Sequence, residues 1–276
     1  MQPLFPEMDG PEGRDEQYFL LLASAIRASA EYKPAFGQGR KGGVTLEQFQ
    51  QMYQADPFYR WVGLDSPLMY AAHKAAGGMT SIYRQLGIGC EAIFRRLLRD
   101  SFNLSASEAT WVYSVPTPDG KGRSLALDGR IEFGSIQDLR ARERMMRWAE
   151  EAEEKLLLSP EIRQTIKGVI FEVRQGYKSK DSKRQNADIS NAMSAYNYGY
   201  LPALVLLSTQ IDGDLEQRYT RNRWLLLTGT TTGQPIDSTY SFCRTIIGYD
   251  LAGFFQRNSD RIKAEIEKVL TALLKA

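Results

Sequence analysis

Apolar positions ahead of residue 90 recur at spacings of three and four, the signature of helices with one buried face. The pattern covers Glu16–Ala30, Thr45–Asp56, Met69–Ala76 and Met79–Leu86, and predicts a helical N-terminal region. A glycine-rich joint, Phe36-Gly37-Gln38-Gly39-Arg40-Lys41-Gly42-Gly43, follows the first of these helices. Its glycines lack the GxxxxGK or GxGxxG spacing that cradles a nucleotide phosphate, so it reads as a loop.

From Cys90 onward the period alternates between helix and strand. Glu91–Leu98 is an amphipathic helix, and Thr110–Val115 is rich in strand formers. The turn Pro116-Thr117-Pro118-Asp119-Gly120 leads into a second strand, Ser124–Phe133, which makes a hairpin. Ser135–Leu158 follows as a long charged helix, with Lys167–Arg174 as a third strand, Asn186–Tyr196 as a helix and Leu201–Leu207 as a fourth strand. Arg223–Thr228 offers a fifth strand, Thr239–Phe255 is mixed, and Asp260–Lys275 is an amphipathic helix. This order predicts an α/β fold with a mixed central sheet flanked by helices. The expected organisation is a helical region over residues 1–86 packed on a core over residues 87–276.

Composition narrows the chemistry. The chain has 276 residues, of which 43% are hydrophobic, enough to bury a sizeable core. His73 is its only histidine, which leaves no ligands for a multi-histidine metal site and makes a Ser-His-Asp hydrolase depend on that one side chain. Cys90 and Cys243 are too few for a disulfide framework, and no run approaches the roughly 18 apolar residues that span a bilayer. Neither secretion nor membrane insertion is expected, and a cytoplasmic location is. A net charge of +2 means that any nucleic-acid contact must come from a local concentration of Lys and Arg.

Two acids stand out because ionisable groups are costly on inner strands: Asp128 after Leu125-Ala126-Leu127, and Glu172 after Val169-Ile170-Phe171. Alternation along a strand puts Glu172 and Arg174 on one face, with Phe171 and Val173 on the other. If the two strands are neighbours, the carboxylates converge and need a divalent cation to offset their repulsion. Magnesium suits such a place, since it takes one or two carboxylates together with waters and substrate phosphate.

The order of a helix with Glu91, a hairpin with Asp128 and then Glu172-Val173-Arg174 resembles the PD-(D/E)xK nuclease core found in many type II restriction endonucleases. The resemblance covers roughly residues 87–207. Within it, residues 171–188 resemble the active-site segment of BbvCI-type restriction subunits, which pair as heterodimers. The resemblance implies a restriction-endonuclease-like core and a site-specific, magnesium-dependent endonuclease of a restriction-modification system, hydrolysing DNA by in-line attack of a metal-activated water. It makes Asp128 and Glu172 the metal-binding acids and Glu91 an accessory metal ligand. The lysine expected two positions after the acid is replaced by Arg174. Lys178 then takes the lysine role and Arg174 stabilises the phosphate, because arginine stays protonated and serves as a clamp rather than a base. The basic segment Lys178–Arg184 would hold the backbone of double-stranded DNA through Lys180, Lys183 and Arg184. Arg184, Gln185 and Asn186, opening a helix, carry donors that read base edges. Double-strand cleavage implies a second subunit, in a homodimer or a heterodimer.

Plainer readings stand beside these. Glu172 and Arg174 make an ion pair on an edge strand, Asp128 before Gly129 starts a turn, and Glu91 complements a helix dipole. The run Lys178–Arg184 reads as a solvated turn, and the charges of Arg140–Lys155 as an exposed helix laced with pairs four apart. Tyr196, Tyr198 and Tyr200 either pack on the sheet or touch DNA. At the level of function, the alternatives are a repair or structure-selective nuclease on the same core, and a DNA-binding subunit that does not cut.

Overall fold

The computed structural model describes residues 11–35, 43–116, 122–176 and 191–274. In chain order, the helices up to the first strand are α1 (Pro11–Ala28), α2 (Leu46–Gln54), α3 (Pro57–Trp61) and α4 (Pro67–Phe102). Strands β1 (Trp111–Pro116), β2 (Gly122–Leu127) and β3 (Gly129–Glu132) come next, followed by α5 (Leu139–Lys155), α6 (Pro160–Arg163) and β4 (Gly168–Arg174). Residues 191–197 form helix α7, which leads into β5 (Tyr200–Leu206). The chain continues through α8 (Gly213–Arg221), β6 (Leu225–Leu227), α9 (Thr239–Phe242) with a π turn over Cys243–Ile247, α10 (Leu251–Arg257) and α11 (Ser259–Leu274). Among the described residues, no helix is long and apolar enough to cross a membrane.

Two compact units result: Met1–Gly89 with Arg257–Ala276, and Cys90–Gln256. The sequence places the last helix with the sheet, over residues 87–276; in the structure α11 groups with the N-terminal helices, for reasons visible in its side chains. Tyr18, Leu22 and Ile26 of α1 are buried. Arg257 donates to Asp15 at 2.7 Å, Arg261 donates to Glu16 at 2.7 Å, and Arg27 donates to Glu265 at 2.6 Å. The Arg261 guanidinium also lies 3.7 Å from the centroid of the Phe19 ring. Such charge patterning carries no period that distinguishes a partner helix from solvent.

The predicted segments Met69–Ala76, Met79–Leu86 and Glu91–Leu98 are one continuous helix, α4. Gly78 and Gly89 sit inside it without ending it, because they are used for close approach: an added Cβ would lie 2.8 Å from Leu273 and 2.7 Å from Leu22, respectively. Helix α2 starts with a capping box between Thr45 and Gln48, and Asp56 caps α3 ahead of Pro57.

Glu265 is the best-held acid of the helical unit. Its side chain is 7% exposed and accepts from both Arg27 and Lys268. The hydrogen bond from Arg27, then that from Lys268, hold its carboxyl down at about 2 against an ordinary 4.5. Because the folded value lies below the unfolded one, this stabilisation is complete above about pH 4.5 and is lost as pH falls toward 2. Glu265→Gln is expected to cost about 1–3 kcal/mol at neutral pH. Thermal melts of both proteins should show the deficit shrinking as pH falls from about 4.5 to about 2, and a deficit independent of pH would contradict the assignment.

In the other unit, β1 and β2 form an antiparallel hairpin, and a separate four-stranded sheet has the order β3-β4-β5-β6. β3 is antiparallel to β4, while β4, β5 and β6 run parallel. The sheet is therefore mixed and carries helices, as the alternating pattern predicts. The expected second strand Ser124–Phe133 differs from the prediction in one respect. It breaks at Asp128, so that residues before the break pair with β1 and residues after it pair with β4.

β4 and β5 are the inner strands, and both are buried almost throughout. Phe171 meets Phe94 of α4 edge-on with ring centroids 5.2 Å apart, and also Phe242, which contacts Trp148 of α5. Ile170 belongs instead to the cluster of Trp111, Tyr113, Leu127, Ala192, Ala195 and Leu204. These opposite allegiances of neighbouring residues fix the two faces of β4, and they assign Glu172 to the face of Ile170 by alternation.

Candidate functional site

The site candidates meet where β2 gives way to β3. Gly129 pairs with Phe171 and Arg130 with Ile170, and the ladder ends there, at the residue after Asp128 on one strand and the residue before Glu172 on the other. The Asp128 carboxylate reaches across to β4: its Oδ2 accepts the backbone N–H of Val173 at 2.8 Å, immediately after Glu172. An aspartate that merely opened a turn would bond its own segment. This one ties two strands together.

Glu172 is buried, at 6% exposure, and its Oε1 is in direct contact with the guanidinium of Arg174, whose side chain is 13% exposed. The predicted same-face pair is thus present, and so is the ion pair of the plainer reading, although it lies on an inner strand and not on an edge. Removing one partner of a buried pair leaves a charge without compensation and costs about 3–5 kcal/mol, so the two side chains must be treated as a unit.

Arg95 contributes something that periodicity does not reveal. From α4 its Nε donates to the backbone carbonyl of Asp128 at 2.8 Å, which holds the strand break from the other side. In the sequence it reads as one more cation on an amphipathic helix. Its distance of four residues from Glu91 places both on one face of α4 and was the available signal. Glu91 is half-buried there. Among the described residues, no group of three His, Cys, Asp or Glu side chains has an arrangement that could hold a metal ion. What the structure brings together is an aspartate bonded to the Val173 amide, next in the chain to the buried Glu172; one or two carboxylates are the protein ligands magnesium commonly takes.

The other predicted contacts divide clearly. Lys178, Lys180, Lys183, Arg184, Gln185 and Asn186 lie outside the described residues. His73 is an exposed residue of α4. Tyr196 donates to the carbonyl of Arg223 at 2.6 Å, and Tyr200 is 4% exposed within the aromatic cluster. Tyr198 meets the edge of Trp111 with centroids 5.9 Å apart. Tyr200 therefore packs on the sheet, while Tyr198 touches Trp111 at one edge and is otherwise 49% exposed. Cys90 and Cys243 are buried thiols, and burial pushes Cys90 up to about 12 and Cys243 up as well, which makes both poor nucleophiles.

The parallel strands β4, β5 and β6 all end at the edge where Arg174 lies, because Arg174 pairs with Leu206 and Val205 with Leu227. Ligands of open α/β sheets commonly bind outside the carboxyl ends of such strands. Comparison of the chain with known protein families, with curated proteins and with solved structures gives no match.

Proposed function

We propose that this chain is a magnesium-dependent DNA endonuclease, a type II restriction enzyme or a subunit of one. The observation that supports it most is the hydrogen bond from the Val173 amide to Asp128, which brings an acid from the β2–β3 break beside the buried acid of β4. Asp128 and Glu172 would hold the metal. When bound, magnesium activates a water and offsets charge on the phosphodiester. The Arg174 guanidinium, held against Glu172, would offset charge at the scissile phosphate. Lys178 would orient the attacking water, and the basic run Lys178–Arg184 would seat the DNA backbone. A second subunit, identical or related, would cut the other strand.

Arg95 acts in this reading as a positioning residue for Asp128. Arg95→Ala is expected to weaken divalent-metal affinity about tenfold, as loss of outer supports to ligands typically does. Arg99→Ala, one turn further along α4, should leave that affinity unchanged. Titration with manganese measures both, and equal effects of the two variants would contradict the role given to Arg95.

A second reading draws on a specific contact. The position expected for lysine holds Arg174, and its guanidinium lies against Glu172, so the acid is already neutralised by its own strand. This favours a DNA-binding subunit that does not cut. Incubating the purified chain with a long plasmid and magnesium, then sequencing the ends, separates the readings. Ends at one recurring sequence support the restriction enzyme, and ends at junctions or lesions support a structure-selective nuclease. Specific binding with no ends at any metal concentration supports the non-cleaving subunit.

A further inference from the structure

We propose that Thr231, Thr232 and Gln234, in the loop after β6, form a second DNA-contacting element that reads base edges; this rests on the endonuclease reading above. Three features of the loop carry the inference: its position, its rigid base and the chemistry of its exposed crown.

The register sets its position. Glu172 pairs with Leu204 and Leu204 with Leu226, so Thr228, two residues on, stands level with Arg174. Two strand spacings separate β4 from β6, about 10 Å. A B-DNA major groove is about 12 Å wide, so the end of β6 lies within one groove width of a phosphate that would be seated at the end of β4.

The base of the loop is fixed from several directions. Thr228 donates its N–H to Asp237 O at 2.8 Å, and the Gly229 N–H donates to Ser208 O at 3.3 Å. The Ser238 hydroxyl donates to Thr230 O at 2.5 Å. The Thr239 hydroxyl donates to Leu206 O at 2.7 Å, bonding the loop's exit to the end of β5. From α5, Trp148 Nε1 donates to Pro235 O at 2.9 Å, and the Lys155 ammonium pairs with Asp237. Gly229 lies so close to β5 that a Cβ would sit 2.3 Å from the Leu207 carbonyl.

The crown, by contrast, is exposed: Thr231, Thr232, Gly233 and Gln234 all face solvent. Two hydroxyls and an amide supply donors and acceptors without charge, the kind of groups that discriminate bases rather than hold phosphates. A glutamine amide can pair with both N6 and N7 of adenine, and a threonine can offer its hydroxyl to a base edge or its methyl to thymine. Uncharged side chains on a pinned loop are pre-organised for such contacts, whereas a patch built for affinity alone would carry Lys or Arg.

The test compares the full-length wild type with Thr231→Ala/Thr232→Ala/Gln234→Ala, using selection from a randomised duplex pool in calcium and titrations at several salt concentrations. Thr271→Ala on α11 is the control. The expected result is a loss of about tenfold to a hundredfold in preference for the selected sequence, with an unchanged salt slope, because base contacts and not phosphate contacts are removed. A variant that selects the same sequence with wild-type preference would overturn the loop's role while leaving the endonuclease reading intact. A uniform loss on all sequences with a shallower salt slope would also overturn it, by making the loop a backbone contact. Wild-type protein that binds no duplex at all would sink both inferences together.

Discussion

Glu172→Gln is expected to lower magnesium-dependent DNA cleavage by at least about a hundredfold, the scale on which loss of one electrostatic support to a reacting centre is felt. Glutamine keeps the shape of the side chain and can still accept from Arg174, so the buried contact survives in a weaker form. The isosteric change therefore separates chemistry from folding, whereas alanine would leave the Arg174 charge uncompensated. Binding of duplex DNA in calcium and the thermal unfolding profile serve as companions to the cleavage assay. Cleavage at the wild-type rate would remove Glu172 from the mechanism. Asp128→Asn should behave in the same way, with one addition: a neutral amide oxygen accepts more weakly from the Val173 N–H, so the strand junction is also loosened.

Gly168→Ala is expected to be among the most destabilising single substitutions in the sheet. An added Cβ would sit 2.2 Å from the carbonyl oxygen of Ile131 and 3.0 Å from Cα of Glu132, both on the paired strand β3. Those are backbone atoms, which cannot swing aside as a side-chain tip can, so β3 must shift from β4. Overpacking of that kind costs about 3 kcal/mol or more at its upper end. The same displacement would carry Asp128 away from Val173, since the β3–β4 register is what aligns them. Urea unfolding should show the loss of stability. Gly134→Ala, where a Cβ meets nothing within 4 Å, should remain close to wild type. Equal stability of the two variants would contradict the tight pairing inferred at Gly168.

What the sequence reveals of this fold follows from how each feature is encoded. Near-continuous apolar runs identify Lys167–Arg174 and Leu201–Leu207 as strands, because side chains alternate between the two faces of an inner strand and both faces are buried. The same alternation places Glu172 beside Arg174. The break at Asp128 has no such signature: Leu125-Ala126-Leu127 and Ile131-Glu132-Phe133 join smoothly on paper, and only pairing with different partners divides them. Along α4, Gly77, Gly78, Gly87 and Gly89 look like breaks in sequence, while in space Gly78 and Gly89 admit Leu273 and Leu22. The role of Arg95 has no sequence signature, because a side chain bonding a remote backbone carbonyl looks, in sequence, like any solvent-facing cation.

The most direct test of the acid pair reads metal binding rather than activity. Electron paramagnetic resonance of manganese, titrated into wild type, Asp128→Asn and Glu172→Gln, reports occupancy through the decline of the free-ion signal, and added magnesium should restore that signal. The account predicts binding by wild type that magnesium displaces and that either substitution weakens about tenfold or more. Wild type that leaves the free-ion signal untouched, or substituted proteins that bind as wild type does, would contradict it.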